Sequence, residues 1–484
     1  MTMYRMFIGG TWVDAADGQT FEDRNPYNGE LFGDVAAGKL TDVRKSIEVA
    51  QQAFSGWSAT SPAERRQIVL RAAEVLESKR EQLVGNLIDE TGSTFGMAMF
   101  QSFYTPTILR EAAARVSEPK GEFLASDTPG VMSFVQRQPV GVVAGISPWN
   151  APLILSMRAI CLPIALGNTV VLKPAPDSPV SGGVALAEIF EEAGLPPGVL
   201  NVVTHSSQDT SEIGDELVSN PYVKRLSFTG STRAGRGLAE KCGRHLKRIA
   251  LELGGHNPLL ILDDADIGQA VDIAAFGAFL HQGQICMSVR RIIVARAVAE
   301  EFTSRFVSKA QSLKLGNPRE HDTVIGPLIN QSQLERVKAN VDATLAAGAR
   351  ALCGAKHDGL CYYPTVLVDV TPQSKVGCDE TFGPVVALLP VDSIDEALAV
   401  ANQTNYGLSS AVLTKDYEKG LWLAERLETG MVHINDSTVL DEPQAPFGGV
   451  KQSGLGRLGG RQALDEFTEA KWITIQRQPR TYPF

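Results

Sequence analysis

The chain has 484 residues, a formal net charge of −10, and 44% hydrophobic against 21% charged residues. This balance is typical of a globular protein, and at about 100 to 200 residues per domain the length predicts two or three domains. The negative charge argues against nucleic acid or an anionic membrane as a partner. The N-terminus lacks the apolar core of a signal peptide, and no segment approaches the roughly 18 apolar residues of a membrane span. We therefore expect a cytoplasmic protein.

The six cysteines lie at positions 161, 242, 286, 353, 361 and 378 and form neither a CxxC motif nor a dense disulfide framework. Reduced thiols are the simpler expectation, so Cys286 can remain free. The seven histidines show no HExxH motif and no spacing typical of zinc ligands. The sequence predicts no metal site.

The first strong secondary-structure signal is Ser61-Pro62-Ala63-Glu64, which has the capping-box spacing of a helix start. It predicts one long helix that runs to about Glu90 and ends at Gly92. From residue 141 to 253, short apolar strands alternate with helical stretches, and a second such series runs from Asn257 to Asn435. This alternation predicts two α/β lobes, each with a parallel sheet covered by helices.

Two strand-like segments fit neither lobe, namely Val131 to Arg137 and Trp472 to Gln476. Both have roughly period-2 polarity, and an isolated ribbon of this kind leaves unpaired edges. Pairing with another subunit would cover those edges, and an ordinary edge hairpin is the alternative.

Three polar residues offer the parts of a covalent reaction. Cys286 ends the loop-like stretch that begins at Gln282, Glu252 precedes Leu253-Gly254-Gly255, and Asn150 follows an apolar strand-like run. A thiolate can add to a carbonyl carbon, and a carboxylate can activate the water that later removes an acyl group. An asparagine amide can donate to the oxyanion that develops in between.

Seven motifs occur in one order along nearly the whole chain. They are Pro148-Trp149-Asn150, Val171-Leu172-Lys173-Pro174, Phe228-Thr229-Gly230-Ser231-Thr232, Glu252-Leu253-Gly254-Gly255, Gly283-Gln284-Ile285-Cys286, Glu380-Thr381-Phe382-Gly383-Pro384 and Pro446-Phe447-Gly448-Gly449. In this order the sequence resembles the NAD(P)-dependent aldehyde dehydrogenase superfamily.

The resemblance implies an α/β fold of three parts. They are a Rossmann-type dinucleotide-binding domain over 1–120 and 140–254, an α/β catalytic domain over 255–451, and a small β arm for oligomerisation over 121–139 and 467–484. It also implies a homodimer or a homotetramer.

A GxGxxG pattern occurs at Gly454 to Gly459, but no buried strand precedes it, so we interpret it as a glycine-rich loop. Phe228 to Gly235 is the better candidate, because a strand-like run there meets a Gly/Ser turn and then a helix. The resemblance implies that Lys173 binds the adenosine-ribose hydroxyls and that Glu380 and Phe382 position the nicotinamide ribose and ring. The expected cofactor residues are Ile146, Ser147, Trp149, Lys173, Gly230, Ser231, Gly235, Glu380 and Phe382.

Many NAD-preferring members of the family have a glutamate three residues after the lysine, where it repels a 2′-phosphate. Here that position is Pro176. Asp177 is adjacent, and its carboxylate could turn toward the ribose. We therefore expect NAD to be used and NADP to be tolerated.

The implied reaction is oxidation of a small aldehyde. The Cys286 thiolate adds to the aldehyde carbon, and the Asn150 amide and the Cys286 backbone amide hold the oxyanion of the thiohemiacetal. Hydride transfer to the cofactor leaves a thioester, and Glu252 activates the water that releases the carboxylic acid.

The segments 281–288 and 433–443 resemble the benzaldehyde/vanillin dehydrogenase branch, which implies substituted benzaldehydes as substrates. Small or apolar residues beside the reacting groups, Ala151, Ile285 and Met287, fit a flat ring. The alternatives are an aliphatic or semialdehyde dehydrogenase, a CoA-acylating relative, and a catalytically silent binding or structural protein on this fold. His281 also suggests a Cys/His hydrolase, although a packed histidine is the favoured reading.

Overall fold

The computed structural model describes residues 2–118 and 121–484. The helices are α1 (Leu40–Ala59), α2 (Pro62–Ser78), α3 (Arg80–Thr91), α4 (Phe95–Arg115), α5 (Pro152–Ala165), α6 (Ala185–Glu192), α7 (Thr210–Ser219), α8 (Thr232–Arg244), α9 (Ile267–Phe279), α10 (Arg296–Ser312), α11 (Gln331–Ala346), α12 (Lys375–Cys378), α13 (Ile394–Asn402), α14 (Tyr417–Ala424) and α15 (Ala463–Phe467).

The strands are β1 (Met3–Tyr4), β2 (Met6–Ile8), β3 (Thr11–Val13), β4 (Thr20–Arg24), β5 (Leu31–Ala36), β6 (Gly121–Leu124), β7 (Val131–Pro139), β8 (Val142–Ile146), β9 (Thr169–Lys173), β10 (Leu200–Val202), β11 (Val223–Thr229), β12 (Arg248–Glu252), β13 (Asn257–Ile261), β14 (Val289–Ala295), β15 (Arg350–Cys353), β16 (His357–Asp358), β17 (Cys361–Tyr362), β18 (Thr365–Val368), β19 (Val385–Val391), β20 (Ser409–Leu413), β21 (Met431–Ile434), β22 (Gly454–Leu455) and β23 (Thr468–Gln476).

The first large sheet has the strand order β22-β12-β11-β8-β9-β10-β2-β3 within the described chain. Its central strands β12, β11, β8, β9 and β10 run parallel, and β22 and β2 flank them in antiparallel pairs. Successive residues of β8, Val142, Val143 and Ala144, alternate between two apolar clusters, one on each face. Helices therefore cover both faces, as a buried parallel sheet requires, and the predicted first lobe is confirmed as α/β.

The second large sheet has the order β15-β18-β19-β14-β13-β20-β21, and its strands from β18 to β21 run parallel. It corresponds to the second alternating series of the sequence. The domain boundaries at residues 254 and 451 stay a prediction, with one large parallel sheet on either side of residue 254.

The topology fixes where a site can form. Among the parallel strands of the first sheet, the chain starts at β8, fills β9 and β10 on one side, and then returns to add β11 and β12 on the other. Ligands of open α/β sheets bind outside the carboxyl ends of the strands at such a reversal. The carboxyl ends of β8, β11 and β12 lie there, and they face the loops that lead into β14 and β19 of the second sheet.

The predicted long helix after Ser61 is interrupted. The Ser61 side chain accepts from the Glu64 amide, as the capping signal indicated, but α2 ends at Ser78 and α3 starts at Arg80. Lys79, between them, leaves the helical conformation at ψ 8°. Neither glycine nor proline marks that break, so the sequence carried no signal for it. The predicted end at Gly92 is confirmed, with φ at +66°.

The two strand-like segments outside the lobes pair with each other. β23 and β7 form an antiparallel ladder over their full length, and β6 adds a third strand on the other side of β7. Each segment thus covers one edge of the other, which sequence alone did not specify. Association with another subunit through this ribbon stays a prediction.

Gly92 offers a direct test of the helix end. A Cβ there would lie 2.5 Å from Pro327 Cγ and 3.0 Å from Pro26 Cγ, and φ is +66°. We expect Gly92→Ala to destabilise the fold by at least about 1 to 2 kcal/mol, measured as a lower thermal or denaturant midpoint. The control is Gly85→Ala in the middle of α3, where a Cβ meets nothing within 4 Å. That variant should gain about 0.5 to 1 kcal/mol. Equal effects of the two variants would contradict the assigned role of Gly92.

Candidate active site

A cleft of about 140 Å³ lies between the two large sheets. Its walls bring together Asn150, Glu252 and Cys286, three residues that are distant in the sequence. The same walls contain five of the expected cofactor residues, namely Trp149, Gly230, Ser231, Glu380 and Phe382. The other four, Ile146, Ser147, Lys173 and Gly235, do not line this cleft.

Cys286 follows a strained stretch of backbone. His281, Gln282 and Gly283 all have positive φ, at 52°, 55° and 67°. Two of them carry side chains, and such conformations cost about 1 to 3 kcal/mol each unless the surroundings hold them. A Cβ at Gly283 would lie 2.3 Å from the Gly383 carbonyl oxygen, so only glycine fits there.

Buried polar side chains hold this stretch in place. Arg290 donates through Nη1 to the Gly383 carbonyl at 2.7 Å and through Nη2 to the Gly283 carbonyl. Burial lowers the pKa of Arg290 to about 10. Asn257 Nδ2 donates to the carbonyl of Cys286 itself at 2.7 Å. The sequence reading missed both residues, because neither belongs to the motifs that carried the resemblance.

Asn150 is buried and tied to the same loop. Its Nδ2 donates to the Gln284 carbonyl oxygen at 2.9 Å. One amide hydrogen is used in this bond, and the bond fixes the plane of the amide and therefore the direction of the second hydrogen. The side chain thus offers one oriented donor in the wall of the cleft that contains Cys286.

Glu252 ends β12 and is buried without a hydrogen-bond partner for either carboxylate oxygen within the described chain. Burial raises the pKa of Glu252 well above its ordinary value, and the positive charges of Arg158 and Arg457 act in the opposite direction. A Cβ at Gly448 would lie 2.7 Å from Glu252 Oε1, so the Gly448 backbone packs closely against the carboxylate. An unpaired buried carboxylate of this kind is suited to take a proton.

Cys286 shares this environment. Burial raises the pKa of its thiol to about 12, and the negative charges of Glu252, Glu380 and Asp441 add to that effect. Arg158 lowers it. The thiol of the protein alone is therefore protonated at neutral pH.

Lys173 fits a polar ligand. It is buried at the end of β9, and burial, as the only cause, lowers its pKa to about 7. No protein charge or hydrogen bond compensates its ammonium group in the described residues. The hydroxyls of a ribose would supply the missing acceptors.

Ser231 and the aromatic residues of the cleft also fit a dinucleotide. Ser231 caps α8, accepting from the Ala234 amide at 3.3 Å, so the first turn of a 13-residue helix opens at the cleft. Free amides at such a helix start suit a pyrophosphate. Trp149 and Phe382 meet edge to face, with their ring centroids 5.6 Å apart, and form an aromatic corner.

The loop that contains Glu380 and Phe382 is held from α11. Gln333 Nε2 donates to the Phe382 carbonyl at 2.7 Å, and Arg336 Nη2 donates to the Glu380 carbonyl at 2.9 Å. Glu380 Oε1 in turn accepts from the Gly255 amide at 3.0 Å. Gln333 and Arg336 line the cleft themselves and were not predicted, because no motif contains them.

Two expected cofactor residues have structural explanations of their own. A Cβ at Gly235 would lie 2.4 Å from Leu253 Cδ2, so its small size allows α8 to pack on the end of β12. Ser147 accepts a hydrogen bond from Ser156 at 2.6 Å, and Ile146 is buried at the end of β8. Their contact with a cofactor stays a prediction.

The structure also bears on three other interpretations of the sequence, those of Asp177, His281 and the GxGxxG pattern. Asp177 is held at 2.8 Å by the Asn330 amide, so it is not free to swing toward a ribose. His281 is buried, which agrees with a packed histidine. The GxGxxG glycines begin in β22, which pairs antiparallel with β12, and form no strand-to-helix turn.

The sequence analysis missed a buried ion pair whose charges act on Glu252 and Cys286. Arg158 Nη2 donates to Asp441 Oδ2 at 2.6 Å, and the guanidinium lies 4.5 Å from the centre of the Phe447 ring. All residues of α5 are buried, and Arg158 is the one charged residue among them. A lone charge in an otherwise apolar helix was the signal that could have identified it.

Within the part of the chain that the structure describes, no helix combines the length and the apolar character that crossing a bilayer requires.

Comparison with known proteins agrees with this geometry. The model of the aldehyde dehydrogenase family matches residues 12–473. A vanillin dehydrogenase of Pseudomonas fluorescens is 44% identical over 481 residues, which are 99% of each chain. A benzaldehyde dehydrogenase (NAD+) of Pseudomonas putida is 40% identical over 482 residues, 99% of this chain and 98% of that one.

The fold comparison points the same way. The crystal structure of a salicylaldehyde dehydrogenase from Pseudomonas putida G7, complexed with salicylaldehyde, has a TM-score of 0.98 and 40% identity, and the match covers 100% of both chains. The motifs of the cleft, the two-sheet architecture and the family match over nearly the whole length agree, and the chain belongs to the aldehyde dehydrogenase family.

Proposed function

We propose that the protein oxidises aromatic aldehydes to carboxylic acids with NAD, and that it tolerates NADP. The observation that carries this proposal is the meeting of Cys286, Glu252 and Asn150 in one cleft. The aromatic substrate class is supported by the names of the similar proteins and by the apolar cluster of Ile285, Met287 and Phe447 against which Cys286 packs.

The first step belongs to Cys286. Its Sγ, once deprotonated, forms a bond to the aldehyde carbon, and the carbonyl oxygen becomes an oxyanion. The second amide hydrogen of Asn150 and the backbone amide of Cys286 stabilise that charge. Arg158 favours the thiolate, because its positive charge lowers the pKa of Cys286.

The second half of the reaction belongs to Glu252. A nicotinamide bound in this cleft would accept the hydride that leaves the thiohemiacetal carbon, and Cys286 would then hold the acyl group as a thioester. Glu252, which is buried and unpaired among the described residues, then takes a proton from water. The resulting hydroxide adds to the thioester carbon, the C–S bond breaks, and the carboxylic acid is released with a free Cys286.

Removing each group should stop a different step. We expect Cys286→Ala to form no NADH, whereas Glu252→Gln should release at most one NADH per site in a burst and lose about 10²- to 10⁴-fold in steady turnover. Stopped-flow absorbance and intact mass would measure the burst and the trapped acyl group. The control is Cys353→Ala, another partly buried free thiol, which should keep full turnover. Sustained turnover by Cys286→Ala would refute the mechanism.

The rates of acylation and deacylation should both change with pH in the same direction. Cys286 and Glu252 both have raised pKa values, and both act in the deprotonated form, so acylation and deacylation should each accelerate as pH rises. Burst rate and steady rate between pH 6 and about 10 would separate the two profiles. The rise in the steady rate should disappear in Glu252→Gln. A burst rate that is flat or falls over this range would be the contrary result.

Initial rates of NADH formation test the substrate class. We expect benzaldehyde and vanillin to exceed acetaldehyde, hexanal and succinic semialdehyde by about tenfold or more in kcat/KM, which is about 1.4 kcal/mol. Preference for the aliphatic aldehydes would favour the second candidate, an aliphatic or semialdehyde dehydrogenase with the same mechanism. Replacing NAD by NADP should cost less than about 10³-fold, because position 176 is a proline and Asp177 is held by Asn330.

We infer a homodimer or homotetramer in a reducing cytoplasm. Phe123 and Trp472 are 83% and 71% exposed on the β6-β7-β23 ribbon, which suits burial against another subunit. The six cysteines, including Cys286, are free thiols, as the proposed chemistry needs. Light scattering in solution would decide between the two assemblies, and a monomer would contradict both.

A further inference from the structure

Arg290 is a fully buried cation near the start of β14, four residues after Cys286. All the hydrogen bonds that its guanidinium makes within the described chain go to backbone carbonyls. Burial lowers the pKa of Arg290 only to about 10, so the side chain keeps its charge at neutral pH. Burying a charge is costly, and a methionine would fill a similar volume without that cost. What the guanidinium holds is therefore more informative than how it packs.

The three carbonyls that accept from the guanidinium lie on two loops of the cleft. Arg290 Nη1 donates to Gly383 at 2.7 Å, and Nη2 donates to Gly283 and, at 3.4 Å, to Ile285. The first of these carbonyls follows Phe382 in the chain, and the other two precede the reactive cysteine. The guanidinium is planar, and its nitrogens are fixed relative to one another. One rigid group thus sets how far the two loops can move apart.

The two loops also touch each other directly. A Cβ at Gly283 would lie 2.3 Å from the Gly383 carbonyl oxygen, the same oxygen that accepts from the guanidinium. On the far side, a Cβ at Gly383 would lie 2.6 Å from Val337 Cγ2 of α11. Phe382 has a φ of +53°, and residues 281–283 are left-handed as well, so both loops contain strained backbone. A shift of one loop therefore displaces the other.

These loops supply the groups that must meet in the first half of the reaction. One loop ends at Cys286, and the other contains Glu380 and Phe382, which line the same cleft. Reacting atoms must come within about 3 to 3.5 Å, and a misplacement of about 1 Å can cost about 10²-fold in rate. The bonds of Arg290 do not reach Glu252, which lies on β12 of the first sheet. Arg290 thus acts on the groups of acylation and leaves the base of deacylation alone.

We propose that Arg290 is a positioning residue for acylation, which fixes Cys286 and the Phe382 loop relative to each other through their backbone carbonyls. This role rests on the proposed function, because it requires a hydride to pass from the thiohemiacetal to a nicotinamide in the cleft. Replacing Arg290 should slow acylation and weaken NAD binding together. Hydrolysis of the thioester with Glu252 as the base should continue at its normal rate.

Single-turnover kinetics give the first part of the test. With enzyme in excess over benzaldehyde, each site reacts once, and stopped-flow NADH formation reports acylation alone. Arg290→Lys keeps a buried cation but presents it from one nitrogen, so it cannot span both loops in the same way. We expect the rate to fall about 10- to 100-fold in Arg290→Lys and further in Arg290→Met. A rate within about twofold of wild type in Arg290→Lys would overturn the role.

Two further measurements distinguish positioning from a general loss of structure. Calorimetry should show NAD binding about five- to tenfold weaker in Arg290→Lys, the effect of one lost hydrogen bond. 4-Nitrophenyl benzoate can load a benzoyl group on Cys286 without a hydride acceptor, and intact mass then follows its loss. That loss should be as fast in Arg290→Lys as in wild type. Equal slowing of acylation and of benzoyl loss would contradict the role.

Arg291→Lys is the matched control. Arg291 is the next residue of β14, and burial lowers its pKa to about 10 as well. Its guanidinium also donates to three backbone carbonyls, those of His256, Val400 and Ala401, and none of them belongs to either loop. Arg291→Lys should lower the thermal midpoint about as much as Arg290→Lys and leave the ratio of acylation to benzoyl loss unchanged. The same change of ratio in both variants would refute a special role for Arg290.

The outcomes separate this role from the proposed function. If wild type oxidises benzaldehyde and Arg290→Lys acylates at the wild-type rate, the role of Arg290 is wrong and the proposed function stands. If wild type prefers aliphatic aldehydes, the proposed substrate class fails, and the same kinetics with the preferred aldehyde still test Arg290. NAD binding needs no aldehyde, so an unchanged NAD affinity in Arg290→Lys overturns the role under any substrate.

Discussion

The position of Cys286 depends on Arg290. The backbone before the cysteine adopts three successive left-handed conformations at 281–283, two of them at residues with side chains. Such strain persists only where surrounding bonds exceed its cost of about 1 to 3 kcal/mol per residue. Arg290 meets that need by donating to carbonyls on both sides of the loop, at Gly283 and at Gly383. One buried cation thus ties the loop before Cys286 to the loop that contains Glu380 and Phe382, and both loops enter neighbouring parallel strands.

The cleft keeps groups whose charges are poorly compensated. Glu252 has no hydrogen-bond partner among the described residues, and burial alone destabilises the charged form of Lys173. A structure selected for stability alone would pair such groups or replace them with apolar side chains. Here they lie at the carboxyl ends of β12 and β9, two strands of one sheet that flank β11 and β8, where the strand order reverses. These groups do not add to the stability of the fold, and they remain able to bind a ligand and to transfer a proton.

Local signals predicted much of this molecule, and long-range pairings account for what they missed. The alternation of strands and helices, the Ser61 cap and the Gly92 terminus depend on neighbouring residues and were predictable. The meeting of Asn150, Glu252 and Cys286 followed from the order of the motifs. The break at Lys79 had no local cause, and the ladder between β7 and β23 joins segments from opposite ends of the chain. Arg158 and Asp441 are 283 residues apart, so no window of sequence shows the pair.

The Arg158–Asp441 pair is costly in the place where it lies. Burying two charges requires a desolvation penalty that their attraction barely offsets, and apolar residues of similar volume often do as well or better. Helix α5 is apolar at every other position except Ser156, so a leucine or methionine at 158 would suit its packing. Both side chains instead carry charges that act on Glu252 and Cys286. The pair therefore acts on the cleft through its charges, which shift the pKa values of Glu252 and Cys286.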